Sequence, residues 1–241
     1  ATTDSATGHL KTFTVNFAGD DNGGSGNQKA TAKTYSFAGG ANGVTLADVT
    51  GWNMETKDVI GTPVAKNGDT KELSNGATLY YKGSSAGTLR YRATHQANAT
   101  LTAEIVAAAT AINYNGGLKT ADLSVGCTFS DVDRYIKIPV DGAGTITATV
   151  DFKGVSTQDQ DAGTTGTLQA AFVDSTGALL GEVTTDDVKN SSTDKTVTAT
   201  VTAAKDVYLV FSRNSAVKKS GGTAGGTGGL DVKTITVAPT N

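Results

Sequence analysis

The sequence predicts an all-β chain, an antiparallel β-sandwich of jelly-roll type with little helix. Three observations carry that expectation. Apolar and polar residues alternate with period two in segment after segment, the signature of strands with one buried face. The alternating segments are separated by Gly- and Asp-rich turns, and the chain holds 30 glycines. Threonine is abundant and charged residues make up only 18%, a composition that suits exposed strand faces and tight turns.

Taken in order, residues 1–8 are polar and read as a loose end. Leu10–Phe17 alternates Phe13, Val15 and Phe17 with Thr12, Thr14 and Asn16, and reads as a strand. Residues 19–27 form a Gly-rich loop. A strand at Ala32–Phe37 follows, then a Gly39-Gly40 break. Residues 42–52 read as a short helical turn feeding a strand. Strands are expected at Val59–Val64, Ala77–Lys82 and Leu89–Thr94. Leu101–Ile112 carries mixed signals: Ala and Glu favour helix, whereas Val, Ile and Thr favour strand. The all-β surroundings argue for a strand, with a short helix as the alternative.

Arg134–Val150 is the clearest landmark. Ile136, Ile138 and Val140 alternate with polar neighbours, as do Ile146, Ala148 and Val150 beyond Asp141-Gly142-Ala143-Gly144. This reads as a hairpin paving one wall of the core. A second hairpin is expected where Thr167–Asp174 and Leu179–Thr184 flank Ser175-Thr176-Gly177. Strands at Thr196–Thr202, Val207–Ser212 and Leu230–Val237 complete the chain, the last two separated by the Gly-rich residues 220–229. With no internal repeat and no linker, the expected organisation is an N-terminal strand-and-loop segment, 1–34, and one sandwich domain, 35–241.

Composition restricts function. Net charge is −3 and no basic run exceeds Lys218-Lys219, which argues against nucleic-acid binding. No apolar run approaches the roughly 18 residues of a membrane span. The single cysteine, Cys127, allows neither an intrachain disulfide nor a cysteine zinc site. The small-residue start ATTDSATG fits a mature terminus left by signal-peptide cleavage, so a secreted or cell-surface protein is expected.

Several segments in order, Trp52-Asn53, SNGATLYY at Ser74–Tyr81, Leu118-Lys119, RYIKIPV at Arg134–Val140, VYLVF at Val207–Phe211 and GGLDVKTITV at Gly228–Val237, resemble the β-jelly-roll modules appended to secreted bacterial polysaccharide-degrading enzymes, such as pectate-lyase-associated modules. The resemblance covers residues 35–237. It implies an extracellular, non-catalytic role, either carbohydrate binding or a surface role. The Gly-rich stretch before the last strand is longer than that pattern.

The chemistry-bearing residues are sparse. Glycoside hydrolysis needs two carboxylates about 5–9 Å apart, but Glu55, Glu72, Glu104 and Glu182 are scattered and the Asp pairs fall in turns. A lyase would use a Tyr or His base beside an Arg, and Arg90, Tyr91, Arg92 and His95 form the one dense set. Arg90 and Arg92 share a strand face opposite Tyr91, where they would grip a sugar carboxylate or simply protect an edge. For sugar stacking on an aromatic face, the candidates are Trp52, Tyr81 and Tyr114, with Tyr114 expected exposed in a loop. Tyr80 and Tyr81 are adjacent, so one of them points away from the core. A face carrying Tyr135, Lys137 and neighbouring threonines would bind a glycan or merely be solvated. Calcium is the one ion suggested, with Asp20, Asp21 and Asn22 as ligands in the 19–27 loop and Asp159 and Asp161 as a second set.

The expected function is non-catalytic polysaccharide binding through Arg90, Arg92, Tyr114, Tyr81 and Trp52. The alternatives are a self-assembling surface filament, sheath or coat subunit pairing with copies of itself, and, more remotely, a polysaccharide lyase.

Overall fold

Alternating strands need a second apolar layer, and the chain supplies it by packing two antiparallel sheets on one another. The structure, a computed structural model, describes residues 28–52, 54–61, 68–82, 89–96, 99–115, 122–154, 164–189, 194–218 and 228–240. The larger sheet has eight strands: β1 (Lys33–Ser36), β2 (Met54–Thr56), β3 (Val59–Ile60), β6 (Leu89–Arg92), β7 (Ala111–Asn115), β9 (Gly144–Lys153), β12 (Asp194–Val201) and β14 (Gly229–Pro239). Its order is β12-β9-β14-β7-β6-β3-β2, with β1 pairing beside β14. The smaller sheet has six: β4 (Thr70–Glu72), β5 (Thr78–Tyr81), β8 (Arg134–Val140), β10 (Thr165–Val173), β11 (Thr184–Asp187) and β13 (Lys205–Lys218), in the order β11-β10-β13-β8-β5-β4. The all-β sandwich expected from the sequence is what the chain forms.

Between the sheets lies one apolar core to which both contribute, including Ile136, Leu79 and Leu209 from the smaller and Ile146, Val150 and Val232 from the larger. The six alternating residues of the 134–150 landmark are all buried. Each of the Ile and Val side chains among them contributes about 1.5–3 kcal/mol relative to exposure, and Ala148 less. Their pairing, however, differs from expectation. β8 hydrogen-bonds to β13 and β5, whereas β9 bonds to β12 and β14. The two strands are not a hairpin; they form opposite walls of the core. Alternation reports that one face is buried, and that is equally true of strands that pair and of strands that face each other. The glycine in this turn answers to a close approach. A Cβ on Gly142 would stand 2.2 Å from the Gln28 carbonyl oxygen, because residues 28–30 bond to Ala143 here.

The second hairpin forms in modified shape. Asp174 organises the turn, its Oδ1 accepting from Thr176 N, Thr176 Oγ1 and Ala178 N. Leu179 makes only an isolated bridge to Val173, and the returning strand β11 begins at Thr184. The mixed stretch 101–112 divides. It gives a helix, α2 (Ala103–Ala107), capped by Thr102 Oγ1 accepting from Ile105 N at 3.3 Å, and then strand β7. The expectation of a continuous strand is corrected there: the Thr-Ala-Glu start makes a cap and first turn, while the Ala-Ile-Asn-Tyr end pairs with β6 and β14. β1 runs across the expected 34/35 boundary, and the strand expected at Leu10–Phe17 lies outside the described residues.

The expected helical turn after residue 42 is α1 (Leu46–Val49). Its buried Asp48 accepts from Thr45 N and Thr45 Oγ1 on one side and from Ser74 N and Ser74 Oγ on the other. Burial by itself raises the Asp48 carboxyl, but these four donors outweigh it and hold the group below the usual carboxylate range. A lowered folded value means the unfolded chain binds more protons. The stabilisation is therefore complete above about pH 3.9 and is lost as pH falls through the lower folded value. We expect wild-type stability in urea to fall more steeply from pH 5 to pH 3 than that of Asp48→Asn, with parallel slopes ruling this out.

Candidate functional site

The outer face of the smaller sheet carries an aromatic cluster built by register. In β5, Leu79 and Tyr81 point into the sandwich, so Tyr80 points out. In β8 the same alternation turns Tyr135 and Lys137 outward. Thr70, Tyr80 and Tyr135 lie abreast on β4, β5 and β8, and Thr78, Lys137 and Tyr208 lie abreast on β5, β8 and β13. Tyr80 and Tyr135 stack with centroids 4.6 Å apart and planes 12° from parallel. The far face of Tyr135 meets Phe129 at 5.5 Å, and Tyr208 stands edge-on to Tyr135 at 5.0 Å.

Phe129 arrives on a 3-10 turn, Phe129–Asp131, in a segment folded over this face. Leu123 and Val132 of that segment join Ala171, Val173, Tyr208 and Val210 in a second, smaller apolar cluster. This covers the β10 and β13 side of the face. Among the described residues the β5 and β4 side is left open: Tyr80 is half-buried, and Thr70 and Glu72 are exposed. Thr70 is the register partner of Tyr80 on the side away from Tyr135. Thr78 and Glu72 pair beside them on the same outer face, while the Lys137 ammonium turns toward β13, 3.3 Å from Asp206. Burial, then Tyr208, Tyr80 and Asp206, push the Tyr135 hydroxyl up to about 12, so it remains a proton donor across the physiological range. A half-buried ring that shares its sheet face with hydroxyl and carboxylate side chains matches the two-sided chemistry of a pyranose, one face apolar and the rim polar.

The residues singled out from the sequence are distributed differently. Tyr114 is not in an exposed loop. It is a fully buried β7 side chain whose hydroxyl donates to the Leu209 carbonyl at 2.8 Å. The NYNGG context suggested a turn, but the strand extends through Asn115 to pair with β14. Tyr81 is buried beneath Arg134, and Trp52 is buried edge-on to Tyr91 at 6.4 Å. None of these three rings offers a face to a surface ligand.

Arg90 and Arg92 do share an outward face, with Tyr91 in the core behind them. His95 is buried too, its Nδ1 2.8 Å from the Gln96 carbonyl. The arginines, Tyr91 and His95 therefore do not converge as a lyase set would. On the outer face of the larger sheet, Arg90, Asn113, Asp231, Asp151 and Asp194 lie abreast on β6, β7, β14, β9 and β12. Three adjacent carboxylates would repel. Arg92 answers Asp231, Lys153 answers Asp151 and Asp231, and Lys233 answers Asp194. Arg92 is thus committed within the sheet. Among the described residues no group of three or more His, Cys, Asp or Glu is arranged to hold a metal; Asp20, Asp21, Asn22, Asp159 and Asp161 lie outside them.

Tyr80 was legible in principle, because Leu79 and Tyr81 are in phase and one of the two tyrosines had to face out. Phe129 carried no such signal, since it comes from an irregular turn.

No protein-family model matches the chain, and no curated protein matches it in sequence. Among solved structures, the enzymatically active domain of bacteriophage CBA120 tailspike protein 4 is similar over 68% of this chain and 19% of its own, at 11% identity and a TM-score of 0.28. Arthrobacter globiformis T6 isomalto-dextranase complexed with panose is similar over 86% of this chain and 32% of its own, at 11% identity and a TM-score of 0.26. Infectious bursal disease virus, Gt strain, gives 87% and 52%, with 14% identity and a TM-score of 0.24. The chain thus spans only part of the length of each. At TM-scores below 0.5 these likenesses identify neither a fold family nor a function.

Proposed function

We propose that this chain is a secreted, non-catalytic β-sandwich that binds a polysaccharide on the outer face of its smaller sheet. The observation that supports this most is the half-buried Tyr80 ring, stacked on Tyr135 on a sheet face that it shares with Thr70, Thr78 and Glu72. A ring already fixed by its neighbours loses little freedom when a sugar stacks on it, which is where preorganised sites gain affinity. The open, polar-rimmed face suits an extended chain that makes several weak contacts. The arginines expected to carry binding are not part of this reading, because Arg92 pairs with Asp231 on the opposite side of the sandwich.

A broad glycan array tests the proposal. The expected result is retention of at least one polysaccharide class without release of shorter products. Failure to bind any glycan contradicts binding, and chain shortening contradicts the non-catalytic role.

A further inference from the structure

The interior of the charged row holds an arrangement that ion pairing alone does not require. Asp231 sits on β14 between β7 and β9. Its Oδ1 accepts from Asn113 Nδ2 at 2.5 Å, and its Oδ2 lies 3.5 Å from Lys153 Nζ. One carboxylate therefore touches a primary amide on one flanking strand and a primary amine on the other. Asn113 and Asp231 are more than nine-tenths buried, although they lie on an outer sheet face. The remaining neighbours are Arg92 Nε, 3.4 Å from Asp231 Oδ1, and Asp151 Oδ2, 2.5 Å from Lys153 Nζ. The other Asp151 oxygen is buried without a partner. Gly229 lies beside both side chains. A Cβ there would lie 2.8 Å from the Tyr114 carbonyl oxygen, 3.3 Å from Asn113 Nδ2 and 3.8 Å from Lys153 Cβ, so no side chain from β14 fills the space between the Asn113 amide and the Lys153 stem.

The geometry points to an intramolecular amide cross-link between Lys153 and Asn113, formed with Asp231 as the proton carrier. Lys153 gives a proton to Asp231 Oδ2 and attacks Asn113 Cγ through the freed Nζ lone pair. The Nζ–Cγ bond forms, and the protons shed by Nζ pass through Asp231 to Nδ2. The Cγ–Nδ2 bond then breaks and the nitrogen leaves as ammonium. An ammonium and an amide become an amide and an ammonium, so charge and atoms balance and no oxidant or cofactor enters. Fixed proximity supplies the effective concentration that a free amine and amide lack. The amine acts as nucleophile and the carboxyl as acid and base. The product would tie β7 to β9 across β14, at the centre of the larger sheet.

Intact-mass spectrometry of the purified full chain tests this. The wild-type protein is expected to be lighter than its sequence by one ammonia. A tryptic digest should contain a branched peptide joining residues 93–119 to residues 138–189, uncut at Lys153. Lys153→Arg keeps a cation beside Asp151 and Asp231 and should restore the full mass with an unchanged circular-dichroism spectrum; Asp231→Ala should restore it as well. A full-mass wild-type protein overturns the inference. So does a deficit that persists in folded Lys153→Arg, since ring closure at an Asn-Gly pair would then account for the lost ammonia.

Discussion

Tyr114→Ala is expected to cost about 4 kcal/mol of folding stability, and Tyr114→Phe about 1 to 2 kcal/mol. The ring lies in the core against Phe211, with centroids 6.4 Å apart, and its hydroxyl crosses from β7 in the larger sheet to the Leu209 carbonyl in the smaller. Alanine leaves a cavity at the junction of the two sheets. Phenylalanine keeps the packing and removes only the cross-sheet hydrogen bond. Burial holds the Tyr114 hydroxyl well above its ordinary value. The folded protein therefore resists ionisation there while the unfolded chain ionises near pH 10, and stability is lost as pH rises above about 10. Urea titrations at neutral and alkaline pH measure both effects. A small change in Tyr114→Ala would mean that the ring is not the tie between the sheets.

Tyr80→Ala is expected to weaken glycan binding by about 2 kcal/mol, roughly 30-fold in Kd, because it removes the ring on the β4 side of the cluster. Tyr135→Ala should act comparably by an indirect route. It takes away the stack that orients Tyr80 and also loosens the packing of Phe129 and Tyr208. The two variants are separable by stability. Tyr80 has a single ring partner among the described residues, whereas Tyr135 has three, so only Tyr135→Ala should also lower the melting temperature.

The sequence revealed faces better than pairings. Ile136, Ile138, Val140, Ile146, Ala148 and Val150 lie in the core as their spacing requires, since burial of one face is a local property of a strand. Whether β8 and β9 pair or oppose one another depends on β13, β5, β12 and β14, which are distant in sequence, and alternation is silent on that. The same limit explains the site. Arg90 and Arg92 face outward as read, but Asp231, about 140 residues away, is set beside Arg92 by strand order, not by any local pattern. Tyr114 illustrates the opposite error: an Asn-Tyr-Asn-Gly-Gly run carries turn chemistry, yet pairing with both β6 and β14 keeps Asn113 and Tyr114 extended. Tyr135 and Lys137 were readable as an outward pair. Their partners Tyr80, Phe129 and Tyr208 come together only once β5, β8 and β13 are adjacent and the 122–132 segment lies across them.

The polysaccharide site proposed for this chain is Tyr80 on the smaller sheet. Its most direct test is a side-by-side calorimetric titration of wild type, Tyr80→Ala and Arg92→Ala with the glycan that the array selects. The expected result is a roughly 30-fold loss for Tyr80→Ala and unchanged affinity for Arg92→Ala. Full affinity in Tyr80→Ala, or a loss confined to Arg92→Ala, would contradict it and move the site to the charged face of the larger sheet.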